Sequence, residues 1–246
     1  MEINDKLCCG PDTDHDQGCM VCGKELYCTQ DITLRAICHL CGKEGFTHYF
    51  CPEGHYVCDA CHTKDILDLV LRVCMESGAA DPVIIALRIF DLDKLHMHGP
   101  EYHSIVPAVL VAAYGNAAGN KDEEAIREAI SRGRSVNGGF CGTHGACGAA
   151  IGVGIAYSII HKVTPYSVQE RGLANKMTAL ALETVAGFGG PRCCKRDSIA
   201  SIEVAAEHFG CYEHTGSIRY LCVQSANNPM CINDRCPYFQ DDKQEA

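Results

Sequence analysis

The sequence predicts a mainly α fold, a helical bundle domain preceded by a small cysteine-rich module. Three observations carry this expectation. Four pairs of metal-ligating residues follow one another within residues 19–62. From residue 63 onward apolar residues recur at three and four, the period of amphipathic helices. Trp is absent and aromatics make up 7% of the chain, so the core must be built from Ala, Val, Ile and Leu. The expected organisation is a flexible lead over residues 1–18, a module over 19–62, a helical domain over 63–210 and a cysteine-containing tail over 211–246.

Composition narrows the function classes. A formal net charge of -10 argues against bulk electrostatic binding of nucleic acid or anionic membrane. The first residues, Met-Glu-Ile-Asn-Asp-Lys, are polar and acidic, unlike a secretory signal. The longest nearly apolar run, residues 148–160, is too short to span a bilayer. A cytoplasmic location is therefore expected. The 19 cysteines are an odd count. In a reducing compartment they serve as metal ligands or working thiols rather than as a disulfide framework.

The module is defined by Cys19-x2-Cys22, Cys38-x2-Cys41, Cys51-x3-His55 and Cys58-x2-Cys61. A Cys-x2-Cys turn puts two thiolates on one side of a tight knuckle, and two such pairs complete a tetrahedron around zinc. Gly23 and Gly42 follow second cysteines, where the knuckle wants a residue tolerant of positive φ. Four pairs in series predict two interleaved structural zinc ions. The first is expected on Cys19, Cys22, Cys51 and His55, the second on Cys38, Cys41, Cys58 and Cys61. Cys28 and His62 are substitutes in either. The ligand order resembles the cross-brace of RING-type fingers, and the module is expected to be treble-clef or cross-brace-like. A segment so poor in core residues needs metal to fold. Cys8 and Cys9 in the lead are spare ligands or simply thiols of a tail.

Behind the module, Ile66, Leu67, Val70, Leu71 and Cys74 mark a helix that Thr63 can cap and Ser77-Gly78 stops. Asp81-Pro82 starts a second, through Ile89. Cys74 on the apolar stripe reads as a buried, inert thiol. Residues 105–114 read as a buried helix with Pro107 in its first turn. Residues 121–133 form an exposed amphipathic helix with a Glu123–Arg127 pair, ended by Gly133. Thr164-Pro165 caps a long helix whose inner stripe is Leu173, Met177, Leu180, Ala181, Thr184 and Phe188. Asp197 or Ser198 caps the last helix, which runs to His208.

Three stretches carry the chemistry. In His96-Met-His98-Gly-Pro-Glu101-Tyr-His103, imidazoles and a carboxylate surround a turn and can bind metal or move protons. In the glycine-rich turn over residues 137–147, Cys141 and Cys147 bracket His144 ahead of an apolar helix. Cys147 is expected in that helix's first turn, where amides and the dipole favour a thiolate. His144 can take a proton from either thiol. Behind it, Gly148, Gly152 and Ala156 offer a small-residue stripe for a close helix neighbour. In Arg192-Cys193-Cys194-Lys195-Arg196, a basic island flanks vicinal thiols, with Arg192, Lys195 and Arg196 expected to hold a small anionic substrate. The tail adds Cys211, Cys222, Cys231 and Cys236-Pro237. Cysteines ahead of a Cys-Pro suggest iron–sulfur ligation, although the spacing matches no standard ferredoxin run, and a third zinc site competes.

Phe140-Cys-Gly-Thr-His-Gly-Ala-Cys-Gly-Ala-Ala-Ile-Gly, with His98-Gly-Pro-Glu-Tyr-His103 and Arg192-Cys-Cys-Lys, resembles an uncharacterised cysteine-rich prokaryotic family. This is a domain of unknown function found alone or with radical-SAM proteins in anaerobes and methanogens. The resemblance is expected to run from the knuckles to the tail. It implies a radical-SAM enzyme or a redox protein as partner. Cys147-Gly-Ala-Ala-Ile-Gly is also similar to part of a redox-active family named for its Cys…Gly-Cys-Ala-x-x-Gly…Cys…Cys pattern. That similarity implies redox roles for Cys147, Cys193 and Cys194, but the upstream Gly-Cys-Ala element is missing here.

Two functions are expected. The first is a redox or sulfur-transfer enzyme whose helical pocket gathers Cys141, Cys147, Cys193 and Cys194, with Cys222, Cys231 and Cys236 as further candidate ligands of a [4Fe–4S] cluster. His98, Glu101, His103 and His144 would handle protons there. The second is a non-catalytic zinc-finger accessory, or a metal or sulfur carrier, that docks to a radical-SAM enzyme.

Overall fold

The knuckles and short strands of the N-terminal segment give way at residue 64 to helices. The computed structural model describes residues 19, 21–22, 24–28, 34–92, 95–210, 212 and 220–240, with the backbone alone at Cys28. The lead with Cys8 and Cys9, Gly23, the Cys28 side chain, Cys211 and residues 241–246 lie outside the described residues. The chain divides into two units, Met1–Lys64 and Asp65–Ala246. The fold is mainly helical, with nine α-helices among the described residues and an N-terminal cysteine-rich region. No helix among the described residues is long and apolar enough to cross a membrane.

The first unit contains four short strands and one helix turn. β1 (Tyr27–Cys28) pairs antiparallel with β4 (Tyr49–Phe50), and β2 (Leu34–Ile37) pairs antiparallel with β3 (Glu44–Thr47) in the register Leu34↔Thr47. α1 (Asp59–His62) begins at Cys58. The first two Cys-x2-Cys pairs close alike: Cys19 N–H donates to the Lys24 carbonyl (2.6 Å) and Cys38 N–H to the Lys43 carbonyl (2.8 Å). Gly42 takes φ +71° between the second cysteine and that bond, a conformation closed to most side chains.

The second unit is built around α4 (Tyr102–Ala117), which is buried on nearly all sides, as its uniformly apolar sequence requires. Around it stand α3 (Pro82–Phe90), α5 (Glu123–Arg134), α7 (Gly148–Ile160) and α9 (Cys194–His208), with α8 (Gln169–Gly187) packed on α7 and α9. α2 (Lys64–Glu76) contributes Ile66, Leu67, Val70 and Cys74 to the same core. Asp81 caps α3 by accepting from Val83 N–H (2.8 Å). The small-residue stripe of α7 lies on α4. A methyl at Gly148 would strike the His103 ring, and one at Gly152 would approach Pro107 Cδ to 2.8 Å. Glycine is what allows the two helices this close.

Three helix starts differ from the sequence expectation. α4 begins at Tyr102, not at Ile105, so Pro107 falls in the second turn. The helix can afford this because the missing amide deprives only the His103 carbonyl, against which the backbone of Gly133 packs. Gly133 is accordingly inside α5, which runs on to Arg134. α8 begins at Gln169, because Thr164 and Ser167 form a closed turn of their own, with Ser167 N–H donating to the Thr164 carbonyl (3.0 Å) and Thr164 N–H to Ser167 Oγ (2.9 Å). Leu173, placed on the inner stripe of α8, is 42% exposed. α9 begins at Cys194, with extended Cys193 as its N-cap, so neither Asp197 nor Ser198 caps it. This last shift matters most, since it draws Lys195, Arg196 and Asp197 into a buried helical turn.

Candidate functional site

The N-terminal region contains two tetrahedral Cys/His groups. Cys19, Cys22, Cys51 and His55 form one and Cys38, Cys41, Cys58 and Cys61 the other, each with its ligand atoms within 4.8 Å of one another. In the first, Cys22 and Cys51 Sγ stand 3.5 Å apart, and His55 Nδ1 lies 3.7 Å from both Cys19 and Cys51 Sγ. In the second, Cys41 and Cys58 Sγ are 3.6 Å apart. A tetrahedral ion with metal–sulfur bonds near 2.3 Å sets its ligands about 3.8 Å apart, so each group can hold a metal ion. The pairs alternate between the groups in chain order, as a cross-brace requires. The second group joins a knuckle to the first turn of α1, the treble-clef arrangement. Neither group includes His62.

One thiol in each group is prepared as a thiolate. Burial opposes ionisation of Cys19, but the amides of Val21 and Cys22 and the neighbouring thiols bring it down to about 6. Burial likewise opposes Cys38, and the amides of Cys58, Cys41 and Leu40 bring it to about 6.

The chemistry-bearing residues of the helical unit fall into two neighbourhoods split by the vicinal pair. Cys193 lines a pocket with Cys222, Cys231 and Cys236, whose empty space is about 450 Å³ including its open mouth. The tail closes it. Cys222 N–H donates to the Tyr238 carbonyl (2.7 Å), and two 3-10 turns, Ser225–Asn227 and Asn233–Arg235, place the segments before Cys231 and Cys236. Lys195 and Arg196 also line this pocket, 2% and 3% exposed. Lys195 Nζ donates to the Phe90 carbonyl (3.2 Å) and to Gln224 Oε1, and lies 5.5 Å from the Phe90 ring centre. Arg196 Nε donates to Asp197 Oδ1 (2.9 Å), and its guanidinium stacks over Phe188 at 5.1 Å. Of the basic island, only Arg192 is exposed.

Cys194 lies on the other side, toward the amide of Gly99, Arg192 and Cys147; burial pushes it up to about 12. Cys147 is the N-cap of α7 rather than a residue of its first turn. Burial, helped by the carboxylate of Asp197, raises it to about 11 against the opposing amides of Ala150 and Ala149. The expected thiolate is thus a protonated thiol, because the helix-end field is weaker than the loss of solvent. Cys141 sits on the exposed single-turn α6 (Phe140–Thr143). His144 is exposed too, stacked on Phe140 at 4.0 Å, with Nδ1 2.8 Å from Thr143 Oγ1. Cys74 is fully buried and pushed up to about 12 by that burial, a packing thiol.

The turn before α4 joins these neighbourhoods. His98 Nε2 meets Asn228 Oδ1 at 3.2 Å, and that oxygen also accepts from Met230 N–H (3.0 Å), so the ring donates from Nε2. Its Nδ1 is buried without a hydrogen-bond partner among the described residues. Burial lowers the His98 pKa, the Asn228 contact opposes this, and the guanidinium groups of Arg192 and Arg196 act with burial. Glu101 is 0% exposed; Oε1 meets His96 Nδ1 at 3.2 Å, and Oε2 has no partner among the described residues. His103 has Nδ1 2.9 Å from the Val136 carbonyl and its ring on Gly148, which ties it to the α4–α7 packing.

The Glu101 contact raises the His96 pKa, against an opposing effect of burial. A group whose folded value is raised stabilises fully below its ordinary value, about 6.5, and loses that contribution as pH rises through the folded value. Stability of the chain in urea should therefore fall over that window, and His96→Asn should flatten the fall. An unchanged profile in the variant would refute the assignment.

Sequence reasoning missed Asn228, Gln224 and the depth of Lys195. Their only signal is position in the folded tail. No curated protein and no solved structure matches the chain. The family match begins at residue 70, inside α2, so it leaves out the knuckles that the resemblance was expected to include. It spans α3 to α9 and the tail cysteines, residues 70–239, and on that coverage the chain belongs to the family of unknown function DUF5714.

Proposed function

We propose that this chain is a metal- and thiol-dependent enzyme of the redox or sulfur-transfer class, with two structural zinc ions in its N-terminal module and iron–sulfur chemistry in its helical unit. One observation carries the reading: the first turn of α9 buries Lys195, Arg196 and Asp197 at 2–4% exposure, among cysteines from three separate segments. Taking an ion out of water costs roughly several kcal/mol even when it is paired. A helix used only for packing has no need of such a turn, whereas a centre that holds anionic sulfur does. His98 supplies a neutral ring nitrogen beside it and Glu101 a buried carboxylate, suited to moving protons. Exposed Arg192 suits a small anionic substrate. Zinc suits the N-terminal groups because one offers three sulfurs and a nitrogen and the other four sulfurs, each a tetrahedral set that leaves no open position. The family match covers the helical unit and not that module, which supports placing the proposed chemistry in the helical unit.

The accessory reading draws on Ile37, Leu40 and Phe46, which are 60–69% exposed on the module and would suit docking to a partner such as a radical-SAM enzyme. Redox titration separates the two. Anaerobically purified chain should take up on the order of one electron reversibly from a mediated reductant. A chain that takes up none while keeping its zinc would overturn the enzyme reading in favour of the adaptor.

A further inference from the structure

We infer that Cys193, Cys222, Cys231 and Cys236 are the four ligands of one [4Fe–4S] cluster, and that Cys141, Cys147 and Cys194 are not. The inference deepens the iron–sulfur reading above and rests on it.

The first ground is spacing. The four thiols line one pocket, yet among the described residues the only groups whose ligand atoms converge within 4.8 Å are the two in the N-terminal module. The quartet is thus too open for a single tetrahedral ion, which needs sulfurs about 3.8 Å apart. Among the described residues its thiols also make no close contact like those of Cys22–Cys51 (3.5 Å) and Cys41–Cys58 (3.6 Å). A two-iron cluster binds its thiolates in such close pairs. A four-iron cube takes one thiolate at each iron, so its sulfurs stand apart and need no close pair.

Charge and backbone supply the second ground. A cluster with four thiolates is anionic in both of its usual oxidation states. Lys195 lines the pocket at 2% exposure, and its partners are a carbonyl, an amide oxygen and a ring, with no ion pair among the described residues. A buried ammonium without a counter-ion is costly unless an anion faces it. Asn233 N–H donates to Cys231 Sγ at 3.4 Å. The knuckle bonds Val21 N–H to Cys19 Sγ and Glu53 N–H to Cys51 Sγ have the same length and the same two-residue offset. Met97, Ile232 and Phe239 supply an apolar lining that shields a cluster from water. On assembly from two ferrous ions, two ferric ions and four sulfides, four S–H bonds are replaced by four S–Fe bonds and the protons leave to solvent, so neither iron nor sulfur changes oxidation state overall.

The test uses the full chain, reconstituted anaerobically with equal amounts of ferrous and ferric iron and with sulfide. The expected result is about four iron and four sulfide per chain. On the unmodified protein, Cys193, Cys222, Cys231 and Cys236 should be protected from alkylation when loaded and become reactive after iron is chelated. Cys222→Ser and Cys236→Ser should lower bound iron by roughly tenfold or more, while Cys141→Ser and Cys147→Ser keep it. Zinc in the quartet without sulfide would overturn the inference. So would protection of Cys141, Cys147 and Cys194 in place of the quartet; if that protein still takes up electrons, the ligand set is wrong and the redox reading stands. A chain that binds no iron and takes up no electrons overturns both.

Discussion

Chelating metal from the N-terminal module should unfold it and leave the helical unit standing. The strands of this module are two to four residues long; Ile37 and Phe46 are 68% and 69% exposed, and Phe50 is only half-buried. What it buries instead is ligand: Cys19, Cys38 and Cys51 are 5%, 1% and 2% exposed. Apolar burial therefore contributes little, and metal bound at the two groups would supply nearly all the folding free energy, on the order of 10–16 kcal/mol for a structural zinc site near neutral pH. The interleaving adds a second consequence. Residues 38–41 lie between the two halves of the first group, and residues 51–55 lie between the two halves of the second. Cys38→Ser should thus weaken zinc at Cys19, Cys22, Cys51 and His55, which it does not touch, by roughly tenfold or more. Hydrogen exchange on the zinc-loaded chain checks both effects. Residues 34–62 should lose protection on chelation while α4 and α7 keep theirs. Protection that survives chelation would mean the module has a core of its own.

The legibility of this chain in its sequence follows the range of the forces involved. The zinc-type groups were readable because a tetrahedron needs two pairs, each fixed by a short spacing, and the alternation of pairs left one sensible grouping. α3 was readable because Asp81-Pro82 marks its start, and α5 because its amphipathic pattern and its Glu123–Arg127 pair are local. The start of α9 was not. Asp197 and Ser198 are strong caps in isolation, but Cys193 takes the extended conformation behind Pro191 and the helix begins four residues early. Cys147 was read as a thiolate from its place at a helix mouth, and burial against α9 reversed the sign. The pocket of the tail was legible only as loose cysteines, since Cys193 and Cys236 are brought together by the return of residues 220–239 over α9, which no spacing encodes.

Arg196→Met should destabilise the helical unit by about 3–5 kcal/mol. The Arg196–Asp197 pair is 2.9 Å apart with side chains 3% and 6% exposed, so the change leaves a carboxylate buried without its cation. Methionine keeps only the apolar stem of the side chain; the double variant described next shares the loss of the stacking on Phe188, so comparing the two variants isolates the charge. Asp197 already has its pKa raised by burial, with Arg196 holding it down. Without the guanidinium it escapes the charge by taking a proton, and its place in the first turn of α9 offsets only part of the loss, up to ~2 kcal/mol. Arg196→Met with Asp197→Asn removes both charges, and should recover most of the stability, for a coupling of about 2 kcal/mol or more. Urea unfolding followed by helical circular dichroism measures all three proteins. The iron content separates the structural role from the chemical one. If the pair only holds α9, the double variant regains iron along with stability. If Arg196 also offsets the charge of anionic sulfur at Cys193 and Cys236, the double variant folds and remains iron-poor. The expected result is the second, because Arg196 lines the pocket that Cys193 and Cys236 share. A double variant that regains both stability and full iron loading would reduce Arg196 to a structural partner of Asp197.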